Sequence, residues 1–356
     1  MSGKAGPSEG ASLEGDRSQH GNAMAEGVGT AFSWLTIVPV RGATVFDRIT
    51  GRRALTAAPL TGLVPGLGAV LVAWAVTGLA WLFGGGAGTG LPSWVRGLDD
   101  GGPSSVSPSV LGPAGDPAGA IGFGSDAGSA EAAAKAAAVA AATSPLTAVL
   151  AGVLAVCVAE LLTRAMHVDG LADVADALGS YRAPEGAREI LRAPDTGPMG
   201  SAAVTLTLVA QAAAMSILVH GFATALFPAP WILGASIDPV RVGAAAAVIV
   251  VPFIIGRAVA TTGCHRSLPP MSPTGFGGLV AATQSTWVLV AWWVPLAIVA
   301  GVLAGIGGVL ACIAAVVFAF GFGRMAVRRL GGVNGDVLGA MVQLTTLIAA
   351  VLLALS

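Results

Sequence analysis

PLTAVLAGVLAVCVAELLTRAM, residues 145–166, runs directly into HVDGLADVADALG, residues 167–179. The first stretch is apolar and long enough to cross a bilayer as a helix, which takes about 20 residues for roughly 30 Å of hydrocarbon. The second places Asp169, Asp173 and Asp176 at the end of that span. At about 100° per residue, a helix holds these three acids within an arc of roughly 60°, on one face. Such a face suits a divalent cation. The plainer alternative is a solvated helix end, but three like charges on one face beside apolar surface repel one another unless a cation joins them.

Composition sets the same environment for the rest of the chain. Of 356 residues, 54% are apolar and 10% charged, with a mean hydropathy of +0.80. Soluble domains carry about 25% charged residues, so lipid is the main solvent here. The formal net charge of -1 excludes a nucleic-acid partner, which demands a basic surface. Cys157, Cys264 and Cys312 lack metal-ligand spacing and read as small apolar packing residues.

The pattern predicts an all-α, polytopic membrane helix bundle of about seven transmembrane helices. The spans fall near 56–83, 145–166, 199–227, 240–260, 286–303, 305–322 and 337–356. Glycines 305, 307 and 308 allow a tight turn between the fifth and sixth of these, although one long buried helix also fits. With the N-terminus inside, all but Arg96, Lys135 and Arg241 of the 18 basic residues fall on the cytoplasmic side. An odd number of crossings then puts the C-terminus outside.

Three segments stand apart from the 145–356 bundle. Residues 1–23 are polar, lack the apolar core of a secretion signal and read as a disordered head. Within 24–83, the stretch to Val40 is short, apolar and broken by Gly and Pro, which suits an interfacial helix before the first span. Residues 84–144 are rich in Gly, Ala, Ser and Pro and read as a flexible external insertion, with a helix permitted in EAAAKAAAVAAA.

Three polar stretches, 167–198, 261–285 and 323–336, face one compartment in this topology. The first carries the aspartates, with Glu160 and His167 just upstream and Arg188, Arg192 and Asp195 downstream. Arg257 borders the second. The third, RMAVRRLGGVNGDVLGA, sets Arg324, Arg328 and Arg329 before a loop containing Gly332 and ending in Asp336. Mg²⁺ prefers carboxylate oxygen and often bridges protein to a diphosphate through one or two carboxylates. Arginines grip phosphate oxygens in a bidentate fork, and glycines let backbone N–H groups approach an anion. Such a set fits displacement at phosphorus. Each member also has a plainer role: Arg324, Arg328 and Arg329 as topology anchors, His167 as a supporting partner, and Glu160 paired with Arg164 four residues on. His220 and His265 have no company that suggests chemistry, and the tryptophans at 287–293 read as interfacial anchors.

The run H-x-D-G-L-A-D-x-x-D-x-L-G, with LRAPDTGPMG and the later GGVNGDVLGA, resembles the cobalamin synthases, the adenosylcobinamide-GDP ribazoletransferases. FSWLTIVPV and APLTGLVPGLGAVL extend the resemblance to most of the chain outside the head and the 84–144 insertion. The resemblance implies a Mg²⁺-dependent multi-pass enzyme of the cell membrane with its site facing the cytoplasm. It would join adenosylcobinamide-GDP to α-ribazole or its 5′-phosphate and release GMP. Asp169, Asp173 and Asp176 would hold the metal, and one of them or Glu160 would take the nucleophile's proton. His167 is a further catalytic candidate. Arg188, Arg192, Asp195, Arg328, Arg329, Gly332 and Asp336 would contact substrate. A homo-oligomer is left open.

The chain departs from many relatives at Arg164, where they carry Gly, at Ala193–Asp195, where they carry an acid-Ser-Arg run, and at Gln343, where they carry Glu. A CDP-alcohol phosphotransferase is the nearest alternative, but its D-G-x-x-A-R signature fails here because Asp173 follows Ala172. A cation-coupled transporter would need acids in mid-span, whereas nearly all of these lie at span ends.

Overall fold

The computed structural model describes residues 16–85, 127–228 and 236–356. Their helices are α1 (Ala23–Leu35), α2 (Arg48–Thr61), α3 (Leu63–Gly85), α4 (Ala127–Ala142), α5 (Pro145–Leu162) and α6 (Met166–Gly179). Then come α7 (Pro184–Ile190), α8 (Pro198–Leu226), α9 (Pro239–Gly263), α10 (Gly275–Val280), α11 (Thr286–Leu330) and α12 (Gly335–Ala354). No strand occurs among the described residues, only isolated bridges joining His265 to Gln284 and Pro270 to Val333.

Six stretches are long and apolar enough to cross a membrane, and the longest, α11, is two helices. Ala304 and Gly305 leave helical geometry, with Gly305 at φ 56° and ψ −140°. Gly308 lies directly against the Ala300 carbonyl, which a continuous helix would hold two turns away. Thr286 and Phe320 both reach His265, so the limbs run antiparallel. The expected turn at the 305–308 glycines is present, and the single-helix alternative is not.

Local sequence explains where the helices begin. Asn22, Asp47, Ser144, Asp238 and Asn334 each accept a hydrogen bond from a first-turn N–H of the helix that follows. Pro145, Pro184, Pro198 and Pro239 sit in opening turns, where a missing N–H costs nothing. The core between the spans is built largely of alanines such as Ala69, Ala155, Ala258, Ala315 and Ala349. In lipid there is no hydrophobic gain from joining apolar helices, so close backbone approach through small residues supplies the contact. A Cβ on Gly152 of α5 would stand 2.6 Å from the Ser216 nitrogen of α8.

Two parts of the sequence reading change. The head is anchored from Asp16 onward: the buried His20 side chain bridges Glu26 Oε1 at 2.7 Å and Asp47 Oδ2 at 2.8 Å. Its expected disorder is left to residues 1–15, outside the described residues. Within the expected insertion, 127–142 forms helix α4, as its Ala-rich tract permitted, but it packs on the bundle, with Ala138, Val139 and Ala142 buried and Ala141 against Gly84 of α3. The rest of that expected insertion, 86–126, lies outside the described residues.

The His20 bridge carries a pH signature. Hydrogen bonds donated to Glu26 and Asp47 raise the His20 pKa above its ordinary value. Burial pushes both carboxyls up, but hydrogen bonds (His20 and Thr50 to Glu26, the Thr50 amide and His20 to Asp47) bring each net below its usual range. The histidine's stabilisation is complete below its unfolded pKa and lost as pH rises through the raised folded value. That of the carboxylates is lost as pH falls through their lowered values. His20→Ala is therefore expected to lower the thermal midpoint more at pH 6 than at pH 9, as scanning fluorimetry would measure.

Candidate active site

Helices α6 and α12 meet backbone to backbone where the aspartates lie. A Cβ on Gly170 would come within 2.7 Å of the Asp336 carbonyl oxygen, and one on Gly339 within 3.2 Å of the Met166 oxygen. Only glycine permits that approach, and it brings Asp169 and Asp173 beside Asp336. Asp336 sits in the first turn of α12, where Asn334 Nδ2 donates to its Oδ2 at 2.7 Å. The Asp173 carboxyl is pushed up to about 6, by burial first and then by the like charges of Asp336, Asp169 and Asp176. Crowding of this kind is what a cation relieves.

Asp176 is the exception in the expected trio. Its Oδ2 accepts from the Gly197 N–H at 2.6 Å and its Oδ1 from the Gly200 N–H at 2.9 Å. Those amides open α8, whose N-terminal dipole favours a carboxylate. Both Asp176 oxygens are thereby committed to tying α6 to α8. Among the described residues, no three or more His, Cys, Asp or Glu side chains converge closely enough to form a ready-made metal cage.

A cavity of about 660 Å³ opens beside this acidic edge. Asp169, Asp336 and His167 line it together with Arg257 of α9, Arg164 and the aromatic residues Trp34, Phe46 and Phe276. Parts of the first and third polar stretches thus meet Arg257 at one place, with α10 from the second as a wall. Arg257 is 4% exposed, and its Nη1 faces His167 Nε2. A guanidinium only donates, so His167 Nε2 accepts and the ring is neutral with its proton on Nδ1. Burial, and then the Arg257 charge, hold the His167 pKa well below its ordinary value. His167 therefore orients Arg257 and is not a free base.

Arg164 reaches the cavity from a strained turn. Arg164 and Ala165 adopt left-handed φ values of 57° and 51° between α5 and α6. The Arg164 Nη2 donates to the carbonyls of Ser33 at 3.2 Å and Trp34 at 2.7 Å near the end of α1. For a non-glycine residue this conformation costs about 1–2 kcal/mol. Arg164→Gly relieves that strain but removes both bonds and a cavity cation. The expected result is a thermal midpoint within a few degrees of the parent and a severalfold rise in KM for an anionic substrate, from steady-state kinetics.

Glu160 lies one layer deeper, in the bundle interior. Gln343 Nε2 donates to its Oε1 at 2.9 Å and to Gln211 Oε1 at 2.9 Å, while its Oε2 is buried with no partner. His167 and Arg257 stand between it and the cavity, and Glu160 does not line it.

The remaining substrate-contact candidates lie elsewhere. Arg188 pairs with Glu185 at 3.0 Å and lies against Gly331. Arg192, Asp195, Arg328 and Arg329 are exposed and do not line the cavity. Gly332 is buried at φ 158°, where a Cβ would strike the backbone of Pro270 and Met271. Its loop is paired with that segment through Met271 N–H to Val333 O at 3.0 Å and Val333 N–H to Pro269 O at 2.9 Å. These amides hold loop to loop and do not present themselves to an anion. Arg257 and Arg164 are the charged cavity residues missing from the sequence-based site. The signal for Arg257 is a cation deep in an apolar helix, which is costly in lipid and so marks function.

The family model described as Cobalamin-5-phosphate synthase matches residues 127–354. A relative from Corynebacterium efficiens, named adenosylcobinamide-GDP ribazoletransferase, is 35% identical over 100% of this chain and 98% of its own length. One of the same name from Corynebacterium diphtheriae is 32% identical over 94% of each, and one from Frankia casuarinae 27% identical over 92% of this chain and 93% of its own. No solved structure matches the chain. With full-length similarity and a family match that covers all of α4 to α12, the chain belongs to the cobalamin-5-phosphate synthase family of adenosylcobinamide-GDP ribazoletransferases.

Proposed function

We propose that the chain joins adenosylcobinamide-GDP to α-ribazole or α-ribazole 5′-phosphate in the last assembly step of cobalamin biosynthesis. A ribose hydroxyl oxygen of the acceptor attacks the phosphorus on the cobinamide side of the diphosphate. A new P–O bond forms there, the P–O bond to GMP breaks, and the hydroxyl proton passes to a carboxylate. The observation that carries this reading is the single cavity that sets Asp169 and Asp336 against Arg257 and Arg164. Acids and guanidinium groups lining one cavity match a diphosphate brought in with a divalent cation.

Mg²⁺ dependence is part of the proposal, and the donor set fits it. Asp169, Asp173 and Asp336 are the carboxylates that would hold the ion, with substrate oxygens and waters completing its shell, as Mg²⁺ usually requires. When bound it supplies charge neutralisation on the diphosphate. Arg257, held by His167, and Arg164, held at the end of α1, supply fixed positive charge where the leaving GMP develops negative charge. Asp176 keeps α6 in register with α8, and Glu160 with Gln343 and Gln211 supports the floor of the site.

The same reading puts the site on the cytoplasmic face of the cell membrane, where nucleotide-activated substrates are made and where the basic residues gather. The test is direct. Purified protein in vesicles should release GMP from adenosylcobinamide-GDP only when both α-ribazole and Mg²⁺ are present, with adenosylcobalamin formed in equal amount. GMP release without acceptor, or acceptor-independent uptake of a cation, would overturn the proposal.

A further inference from the structure

On the opposite side of α2 from the candidate active site lies a second, larger cleft of about 740 Å³, between α1, α2 and the first limb of α11. Its lining changes character along α2. Arg48, Arg52 and Arg53 occupy the first two turns, and Thr56, Ala57 and Leu60 the next two. Leu60 stands about 12 Å along the axis from Arg52, at 1.5 Å per residue. Met24 and Val28 of α1 and the Trp292 ring complete the apolar part. The Trp292 indole N–H donates to the Thr56 carbonyl at 2.7 Å, which fixes the ring as a wall at mid-length.

The charge in this cleft is unbalanced. No Asp or Glu lines it. Arg53 is answered by Glu26, with Nη1 to Oε2 at 2.7 Å. Arg48 donates to the Gly278 and Ala281 carbonyls, which orient the guanidinium without cancelling its charge. Among the described residues the exposed Arg52 guanidinium has no hydrogen-bond or ion-pair partner. Two positive charges thus stand at one end of an elongated cleft whose other end is apolar and leads toward the span α3.

We infer that this cleft is a binding site for an anionic phospholipid of the surrounding bilayer, its phosphate held by Arg48 and Arg52 and its acyl chain laid along Ala57, Leu60, Val28 and Trp292. A free phosphate would satisfy the arginines but leave the apolar length wet. A neutral lipid would fill that length but leave the charge unanswered. Basic pockets between helices, near interfacial tryptophan, take lipids in which both features are joined.

Native mass spectrometry of the full chain in detergent tests this, with phosphatidylglycerol and phosphatidylcholine of equal chain length and inorganic phosphate as separate probes. The parent chain is expected to retain one phosphatidylglycerol, with phosphatidylcholine held at least tenfold more weakly. Arg52→Gln should weaken phosphatidylglycerol about fivefold, the scale of one basic residue near a charged headgroup. Val28→Trp, which fills the apolar length and leaves the arginines intact, should abolish retention. Lipid-free thermal midpoints within a few degrees of the parent would show that both variants are folded. Equal retention of the two lipids, or phosphatidylglycerol retention unchanged in both folded variants, would overturn the inference. So would displacement of the lipid by millimolar inorganic phosphate, or tighter lipid binding when residues 1–15 are removed, which would assign the cleft to a free anion or to that segment.

Discussion

Asp173→Asn is expected to lose at least a thousandfold in turnover while becoming more stable at pH 8 in the absence of divalent ion. The two effects have one origin. Asp173 sits among Asp336, Asp169 and Asp176, and its carboxyl is raised to about 6, so at pH 8 the folded chain holds a charge its neighbours oppose. A group whose folded pKa is raised above its unfolded value costs stability wherever it is ionised in both states, which for this carboxyl means above about pH 6. Asparagine keeps the shape and removes that charge, along with a ligand for the cation and the electrostatic help it gives the leaving group. Added Mg²⁺ should raise the thermal midpoint of the parent and leave that of the variant nearly unmoved. A variant with parental turnover, or one destabilised at pH 8, would count against the acidic cluster as the metal edge.

Arg257→Ala should reduce turnover by roughly a thousandfold, the scale of losing a charged group that stabilises the transition state. Arg257→Lys should recover only part of the loss, because a compact ammonium cannot reproduce the planar fork. His167→Ala is expected to cost less, and the double variant no more than Arg257→Ala alone, since the imidazole acts by aiming the guanidinium. Independent losses that add in the double variant would show that His167 works on the substrate itself. Retention of acceptor-dependent GMP release at the parental rate in Arg257→Ala would remove this residue from the reaction.

Much of this architecture was legible in the chain because lipid imposes few solutions. The membrane-length helices follow from apolar length, and the reversal in α11 from glycines 305, 307 and 308. The acidic motif was read correctly as one face of a helix, but which of its members turns toward a cavity depends on partners far away in sequence. Asp176 is claimed by amides 21 and 24 residues later, and no periodicity announces that. Asp336 takes its place beside Asp169 and Asp173 because Gly170 and Gly339 let two helices touch. Arg328 and Arg329 looked like phosphate ligands from charge alone, yet they project from the last turn of α11, where cations suit the helix end. Arg257 was read only as bordering a polar stretch, and its aim is set by His167, 90 residues away.

The reversal in α11 also fixes where the two ends of α12 stand. Gly307, at its tip, packs against Ser356, the last residue, while α12 starts at the acidic edge with Asp336. The far end of α12 thus stands away from the cavity, at the other end of the bundle. On the proposed orientation, a reporter fused after Ser356 would sample the compartment opposite to the one that delivers nucleotide, and a purification handle placed there would leave the substrate entrance unobstructed.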